Sequence, residues 1–399
     1  RQEADEANKP AEVEAIEAFL FSQAEFRHNV ITHHCEIRWT EEAGFLPLTD
    51  RDVNTLWGRM NKTVGRVYLT DIYNVIHSEF VPLFNPFQSY FDHLPSWDGV
   101  SDPIGDLADT VHVKSDQAEF RDYFRKWFVG ILPALLDDTV VNHEILVLIG
   151  EQGLYKTTWF NFLLPPELRC YFYTKTNSDR LNKDDLFSLT EFALICFEEL
   201  DGMRPAELNQ LKAMVTMPYV NERAAYGRNK ERHPHIASFC GTGNNVQFLT
   251  DPTGNRRWLP FEVSQIRDPH LHAIPYELVY SQAYALWKSG FCHWFSQEEI
   301  RVLNTHNSRF EVPNLEEDLI RTHFRKPFEG EAGIFVTAAD ILEQISSCLR
   351  YPLSPNKIGR IMAGLEFESI RYKGKRGYIT VKKTGEDIDR ERRSGALGL

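Results

Sequence analysis

The segment that could carry chemistry most directly is LVLIGEQGLYKTTWF, which spans residues 146–160. It nearly matches the phosphate-binding pattern G-x-x-x-x-G-K-[ST], in which a buried strand runs into a glycine-bearing loop and then a helix. Backbone N–H groups and the helix N-terminus of such a loop attract phosphate. We therefore predict a site for Mg-ATP, with a chance match as the alternative. The predicted nucleotide contacts are Gly150, Gly153, Tyr155, Lys156, Thr157 and Thr158.

Two residues of this loop have defined roles, and a third departs from the pattern. Lys156 would reach the β- and γ-phosphates, and Thr157 would ligate Mg²⁺. The second glycine of the pattern is replaced by Tyr155. A left-handed backbone there would cost a tyrosine about 1–2 kcal/mol, whereas a micromolar complex is worth roughly 8 kcal/mol. The loop should therefore still bind nucleotide, with weaker affinity or a reshaped mouth.

Two further apolar runs, FALICFE and IASFCGTGN, end in polar residues that suit ATP hydrolysis. Their strand-like composition predicts that they lie in one parallel sheet with the first run, so their polar ends share an edge. Glu199 is the predicted catalytic carboxylate, and Thr157, Glu198 and Glu199 would surround the Mg²⁺. Asn244 would bind both the attacking water and the γ-phosphate. A solvated acidic turn is the alternative for the glutamates.

An arginine pair follows the third of these runs. In DPTGNRRWLPFEV, Arg256 and Arg257 come after a turn and before another apolar run. A guanidinium in such a place can spread the charge that develops on the γ-phosphate of a neighbouring subunit. We predict that one of the two has this catalytic role, and a surface arginine pair is the alternative.

Two segments are strongly basic, although the chain carries a net charge of −13. The first alternates cations with tyrosines, which suits a single strand with stacked bases, although Arg223 has structural or nucleotide-binding alternatives. Its predicted DNA contacts are Lys212, Arg223, Arg228, Lys230 and Arg232. The second, IRYKGKRGYIT, predicts a hairpin whose turn would grip phosphate, with a solvated hairpin tip as the alternative. Its predicted contacts are Arg371, Lys373, Lys375 and Arg376.

The composition indicates a globular cytoplasmic protein. The chain has 399 residues, of which 42% are hydrophobic and 25% charged. It has no apolar run near the roughly 20 residues that span a bilayer, and its acidic balance argues against a surface coated with basic residues. The six cysteines are scattered singly, which favours reduced thiols and the cytoplasm over a disulfide framework.

The order of predicted elements indicates an α/β protein with a P-loop AAA+-like ATPase core. Short apolar runs alternate with helices between residues 145 and 263, as in a parallel sheet buried on both faces. A helix, helix, hairpin order near the C-terminus resembles a winged helix. The predicted regions are 1–140, mainly helical; 141–265, the ATPase core; 266–332, a helical extension and connector; 333–385, a winged-helix-like module; and 386–399, a charged tail.

The motifs together resemble the virulence-associated protein E family. They are, in order, NPFQSYFDHLPSWDG, LIGEQGLYKTTWF, FEELDGM, LKAMVTMPYVNERAAYGR, FCGTGN and DPTGNRRWLPFEV. The family's ATPase is similar to superfamily 3 helicases of phages, plasmids and small viruses. The matching positions are Lys156 and Thr157 for the phosphate loop, Glu199 for the acidic strand end, Asn244 for the polar sensor, and Arg256 or Arg257 for the arginine finger.

This resemblance implies a hexameric ring of identical subunits that uses ATP and Mg²⁺ to move on single-stranded DNA. The expected process is replication of a mobile genetic element, with a primase or other replication proteins as possible partners and no membrane. Tyr155 departs from the family pattern, as does Asn221, where an aspartate is expected beside Arg223. The alternatives are an ATP-binding switch or scaffold that does not translocate, a small-molecule P-loop kinase, and a winged-helix DNA-binding protein with a vestigial ATPase.

Overall fold

The computed structural model describes residues 12–176, 183–222, 231–250, 255–313, 315–328, 330–346 and 354–388. The chain divides into two compact units, Arg1–Glu311 and Val312–Leu399. The first unit contains a small N-terminal sheet and a larger, mostly parallel sheet. The five regions drawn from the sequence stay a prediction.

The N-terminal part of the first unit combines helices with a four-stranded sheet. Its strands are β1 (Ala24–Asn29), β2 (His34–Trp39), β3 (Leu46–Pro47) and β4 (Leu83–Phe84). Its helices are α1 (Val13–Gln23), α2 (Asp50–Thr63), α3 (Leu69–Ile76), α4 (Pro86–Asp92) and α5 (Pro103–Ala108). The spatial order is β3-β2-β1-β4. Helix α2 starts at a capping box, in which Thr49 and Asp52 satisfy each other's backbone N–H groups.

A six-stranded sheet forms the centre of the first unit. The strands from here to the end of the unit are β5 (Val111–Val113), β6 (Ile145–Ile149), β7 (Phe172–Lys175), β8 (Leu194–Phe197), β9 (Tyr219–Glu222), β10 (Glu231–Pro234), β11 (Ser238–Gly243) and β12 (Trp258–Ile266). The spatial order is β5-β12-β6-β11-β8-β7. All neighbours are parallel except β5, which is antiparallel to β12. The predicted α/β fold with a parallel sheet is therefore confirmed.

Helices cover this sheet and bury its strands. They are α6 (Gln117–Leu136), α7 (Lys156–Phe162), α8 (Lys183–Glu191), α9 (Pro205–Val215), α10 (Tyr276–Lys288) and α11 (Gln297–Asn307). Every residue of β6, β8 and β11 is buried, which explains why these strands read as continuous apolar runs. On one face, Trp127 of α6 donates its indole N–H to the carbonyl of Phe239, 2.9 Å away, and so anchors the helix to β11.

Strand β11 continues further than the sequence indicated. The apolar part of IASFCGTGN predicts a strand that ends at Cys240, before Gly-Thr-Gly, whereas β11 runs to Gly243. The reason is its register, because Thr242 pairs with Leu148 and Gly243 with Ile149 of β6. Gly241 also allows the turn after β8 to approach closely: a Cβ at this position would collide with Cδ1 of Leu200, a side chain only 1% exposed.

The second unit contains short helices and a hairpin. Its helices are α12 (Leu315–His323), α13 (Ala338–Ser346) and α14 (Pro355–Gly364). Its strands are β13 (Phe324–Arg325), β14 (Ile334–Val336), β15 (Ser369–Tyr372) and β16 (Lys375–Lys382). Strand β16 pairs with each of the other three, and the fully buried Ile341, Ile358 and Met362 lie in the core beside it. Two helices thus precede the hairpin, in the predicted order.

Within the described ranges, no helix is both long enough and apolar enough to span a membrane.

The contact between Gly241 and Leu200 predicts a specific effect on stability. Gly241→Ala should lower the free energy of unfolding by about 1–3 kcal/mol, because the buried Leu200 cannot move aside freely. Gly58→Ala is the matched control, since Gly58 lies in α2 with open space around it and alanine there should stabilise by about 0.5–1 kcal/mol. Urea unfolding of both variants measures the two effects, and a neutral Gly241→Ala would contradict the proposed close packing.

Candidate functional site

The predicted phosphate loop connects β6 to α7. Strand β6 ends at Ile149, and the chain turns through Gly153 at φ +90° and Tyr155 at φ 59°, ψ 18° before α7 begins at Lys156. The position where the pattern has its second glycine is therefore left-handed and holds a tyrosine. Tyr155 is 43% exposed, so it is not held in place by burial in the core.

Lys156 lies beneath the loop rather than in solvent. The residue is 8% exposed, and its Nζ donates to the carbonyls of Gly150 at 2.6 Å and Glu151 at 2.7 Å. It also lies 3.5 Å from Oδ1 of Asn244. Burial lowers the pKa of the Lys156 ammonium, and the charge of Asp201 acts in the opposite direction. A phosphate group would supply the anionic partner that these neutral carbonyls do not.

The carboxylates after β8 meet the first turn of α7. The Thr157 hydroxyl donates to Oε1 of Glu198 at 2.8 Å, although the two residues are 41 positions apart. A hydroxyl and a carboxylate are hard oxygen ligands of the kind that Mg²⁺ binds together with nucleotide phosphates. Glu199 follows in an exposed, left-handed conformation with φ 54°. The donor set therefore fits a magnesium ion, which these residues would hold.

Asp201 joins the turn after β8 to the turn after β11. Its carboxylate accepts the backbone N–H groups of Asn244 at 3.1 Å and Asn245 at 3.2 Å, and the side-chain amide of Asn245 at 2.7 Å. It thereby holds Asn244 at the edge where β6 ends. We did not select Asp201 from the sequence, although its place just after Glu199 in the acidic run EELD was an available signal.

One open cavity of about 390 Å³ lies at this edge of the sheet. The cavity is lined by Gln152, Gly153, Leu154, Tyr155, Lys156, Thr157, Thr158, Glu198, Glu199, Thr242, Gly243 and Asn244. Five of the six predicted nucleotide contacts are among them. The sixth, Gly150, lies at the end of β6 and accepts the Lys156 hydrogen bond. The structure thus brings the three strand-end motifs together, while their catalytic roles stay predictions.

The arginine pair lies at the opposite edge of the same sheet. Arg256 and Arg257 form a 3-10 turn directly before β12, and Trp258 of β12 pairs with Ile145 at the start of β6. The five residues of β6 separate this edge from the phosphate loop by about 17 Å at 3.3 Å per residue. Arg256 is exposed and Arg257 half-buried. Burial lowers the pKa of the Arg257 guanidinium, helped by Arg256 and opposed by Glu144.

The first basic segment contains the hairpin β9–β10. Arg232 pairs with Asn221 across the strands, and its guanidinium lies 3.8 Å from the ring centroid of Tyr219. Lys212 lies earlier, on α9, and is only 8% exposed. The other three predicted contacts, Arg223, Arg228 and Lys230, lie outside the described residues. The described part therefore presents one exposed cation stacked on an exposed tyrosine.

The second basic segment forms the tip of the β15–β16 hairpin. The turn residues Lys373 and Gly374 have φ values of +46° and +79°, and both positions of a type I′ turn require such positive values. Arg371 pairs with Arg376 across the hairpin. All four predicted contacts, Arg371, Lys373, Lys375 and Arg376, are exposed.

The left-handed Tyr155 predicts how substitutions there should affect nucleotide binding. Tyr155→Gly should bind Mg-ATP as tightly as the parent protein, or more tightly by up to about 1–2 kcal/mol, because glycine adopts this backbone without strain. Tyr155→Ala keeps the strain and removes the ring, so its affinity should match that of the parent. Equilibrium nucleotide titrations compare the three proteins. Weaker binding by both variants would mean that the ring itself contacts the nucleotide.

The chain is similar to solved structures at low sequence identity. The chain resembles the apo structure of the NrS-1 C-terminal region, with 12% identity over 92% of this chain and 98% of that one and a TM-score of 0.47. It also resembles a Thermotoga maritima RuvB mutant, with 10% identity over 68% of this chain and 94% of that one and a TM-score of 0.25. Both scores are too low to support an argument. No curated protein matches the sequence.

A family model gives the decisive match. The model of the virulence-associated protein E-like domain matches residues 92–312, which is more than half of the chain. This range includes β5 to β12 and every residue that lines the cavity. It also confirms the resemblance drawn from the motifs. The chain therefore belongs to the virulence-associated protein E-like domain family.

Proposed function

We propose that this protein is a DNA-stimulated ATPase that acts as a helicase or translocase in the replication of a mobile genetic element. The observation that carries the proposal is the convergence of Lys156, Thr157, Glu198 and Asn244 around one cavity at the carboxyl edge of a parallel sheet. Ligands bind at this edge in open α/β sheets. Membership of the virulence-associated protein E-like family supports the same conclusion.

The cavity residues would divide the work of ATP hydrolysis. Lys156 would exchange its carbonyl partners for phosphate oxygens, and Thr157 with Glu198 would hold the Mg²⁺. Bound Mg-ATP supplies the phosphoryl group whose transfer to water drives the cycle. Glu199 would polarise the attacking water, and Asn244, held by Asp201, would orient it. The core would then be a P-loop AAA+-like ATPase.

The placement of the arginines favours action between subunits. About 17 Å of β6 separate Arg256 and Arg257 from the phosphate loop of their own chain, which exceeds the reach of an arginine side chain. In a ring of identical subunits, the edge with the arginines on one copy can face the cavity of the next. This arrangement would supply an arginine to the transition state in trans, and we propose a ring on this basis. The number of six subunits is proposed from the family resemblance alone.

Single-stranded DNA is the proposed partner, and two basic elements are the proposed contacts. The β9–β10 hairpin offers Arg232 and Tyr219, a cation and a ring that suit a phosphate and a base. The winged-helix-like second unit offers the β15–β16 tip. We propose further that the protein acts in the cytoplasm with other replication proteins, such as a primase.

An ATP-binding switch or scaffold is the second candidate. It is favoured by one observation, the left-handed Tyr155 at the mouth of the cavity, which could slow turnover while leaving binding intact. A switch would bind Mg-ATP but would show little hydrolysis and no response to DNA, so the same assay separates the two candidates.

The test is ATPase activity with and without single-stranded DNA. Lys156→Ala should abolish hydrolysis, because it removes the cation at the phosphates. Glu199→Gln should bind ATP but lose about 100-fold or more in kcat, the usual contribution of a general base. Glu79→Gln is the control, since it neutralises an exposed carboxylate outside the phosphate loop and the cavity lining and should leave the rate unchanged. Full hydrolysis by Lys156→Ala would disprove this site.

The salt dependence of DNA affinity tests the β15–β16 tip. Each phosphate contact that is lost should reduce the log–log slope of affinity against salt by about 0.7 for a single strand. Neutralising Arg371, Lys373, Lys375 and Arg376 to glutamine should therefore flatten the slope while sparing DNA-independent ATPase. Neutralising four other exposed cations, Arg51, Arg59, Lys62 and Arg66, is the control for total charge. An unchanged slope in the tip variant would place the DNA surface elsewhere.

A further inference from the structure

The turn that carries the two arginines is held by residues that no motif in the sequence singles out. We call Asn255–Arg257 the arginine turn. Arg256 is exposed and Arg257 is half-buried, so packing of their own side chains does not hold the two guanidinium groups rigidly. A catalytic guanidinium has to be held close to one geometry, because a misplacement of about 1 Å can cost roughly 100-fold in rate. Other residues must therefore fix this turn.

Asn307 is the residue best placed to do so. It is the last residue of α11, is fully buried, and donates from Nδ2 to the carbonyl of Asn255 at 2.8 Å and to the carbonyl of Trp258 at 3.0 Å. These two carbonyls immediately precede and follow Arg256 and Arg257. One side chain thus holds both ends of the segment that carries the arginines.

A second contact also holds the arginine turn. The side chain of Asn255, itself 2% exposed, donates to Oε1 of Glu311 at 2.8 Å. The carbonyl of Phe310, next to Glu311, accepts the backbone N–H groups of Phe248 and Leu249. The segment from α11 to Glu311 therefore bonds both to residues 248–249 and to the arginine turn.

The C-terminal end of α11, which carries Asn307, is itself held by other contacts. His306, next to Asn307, bonds to the carbonyl of Pro260 through Nε2 at 2.7 Å and to Glu119 through Nδ1 at 3.0 Å. Its ring packs against Phe261 and Phe310. The C-terminal end of α11 is thereby fixed to both β12 and α6, and Asn307 has a rigid base.

The amide at position 307 does what an apolar side chain could not. An apolar side chain of similar size would leave the carbonyls of Asn255 and Trp258 without the hydrogen bonds that Nδ2 supplies. Buried carbonyls without a partner destabilise a protein. The polar residue therefore keeps both ends of the arginine turn bonded to α11.

We propose that Asn307 is a positioning residue for the arginine pair, and that Glu311 assists it through Asn255. This inference rests on the proposed function, in which an arginine of one subunit acts on ATP bound by its neighbour. Loosening the turn should then weaken hydrolysis at the neighbour's site while leaving the phosphate loop of the same chain intact.

The primary test is Asn307→Ala in the full chain, with Asn142→Ala as the matched control. Asn142 is similarly buried and donates two hydrogen bonds from Nδ2, to the Trp127 carbonyl and the Ser238 hydroxyl. In both asparagines Oδ1 has no partner among the described residues. The bonds of Asn142, however, do not touch the arginine turn. Asn307→Ala should lower kcat about 10- to 100-fold with a nearly unchanged KM for ATP. Asn142→Ala should lower the free energy of unfolding by a similar amount but should lower kcat much less.

Mixed subunits separate positioning from general damage. An Asn307→Ala subunit keeps its own Lys156, and a Lys156→Ala subunit keeps its own arginines. A mixture of the two should therefore hydrolyse ATP faster than the sum of the separate proteins, as should mixtures of Lys156→Ala with Arg256→Ala or Arg257→Ala. A defect in the cavity of the Asn307→Ala chain would not be rescued in this way.

The outcomes distinguish this inference from the proposed function. Rescue of an arginine variant without rescue of Asn307→Ala, or full activity of Asn307→Ala alone, would overturn the positioning role and leave the shared site standing. Full activity of both arginine variants would overturn the catalytic role of the arginines and, with it, the positioning role of Asn307. The Lys156→Ala variant would still test whether the cavity hydrolyses ATP. Should Asn307→Ala not fold, Glu311→Ala decides. Glu311→Ala should hydrolyse ATP more slowly than the parent protein and should be rescued when mixed with Lys156→Ala. Glu311→Gln should retain activity, because its amide oxygen can still accept a hydrogen bond from Asn255.

Discussion

The position of β11 between β6 and β8 is the constraint on which the site depends. Gly243 of β11 is level with Ile149 of β6, and Gly241 is level with Phe197 of β8, so all three strands end at one edge. The turns that follow are then close enough to bond to one another. Thr157 reaches Glu198, and Asp201 reaches the backbone of Asn244. A one-residue slip of β11 would remove both the alignment and the bonds.

The same parallel geometry separates the polar side chains of the cavity from the arginine pair. Side chains that follow a strand lie at the carboxyl edge, whereas those that precede a strand lie at the amino edge. Glu198 and Asn244 follow their strands, and Arg257 precedes β12, which is parallel to β6. The sheet therefore keeps the arginines away from the phosphate loop of their own chain. In the proposed function this separation is useful, because hydrolysis would then require a second copy of the chain.

The distribution of charge suggests why an acidic protein could still bind DNA. A net charge of −13 disfavours non-specific contact with phosphate over the whole surface. Short hairpins such as β15–β16 concentrate cations at an exposed turn, where a few contacts can act without a basic background. The binding that we propose would therefore be local and sensitive to salt, since it would rest on a small number of phosphate contacts.

The sequence by itself determined the local features of this protein. Uninterrupted apolar runs predicted the buried strands, the glycine, lysine and threonine spacing predicted the loop between β6 and α7, and the motif series identified the family. These features depend on neighbouring residues, whose burial and backbone preferences appear directly in the order of side chains. The cost of a left-handed tyrosine could be named in advance for the same reason.

Only the tertiary structure decided the contacts between distant residues. The backbone of Tyr155 is left-handed, β11 extends to Gly243, and Asp201 and Asn307 each hold a segment more than 40 positions away. Such bonds depend on which strands become neighbours and in what register, and short-range patterns do not encode that order. An aspartate in an acidic run or an asparagine at the end of a helix has many possible partners in the sequence. Packing of the sheet and α11 selects one.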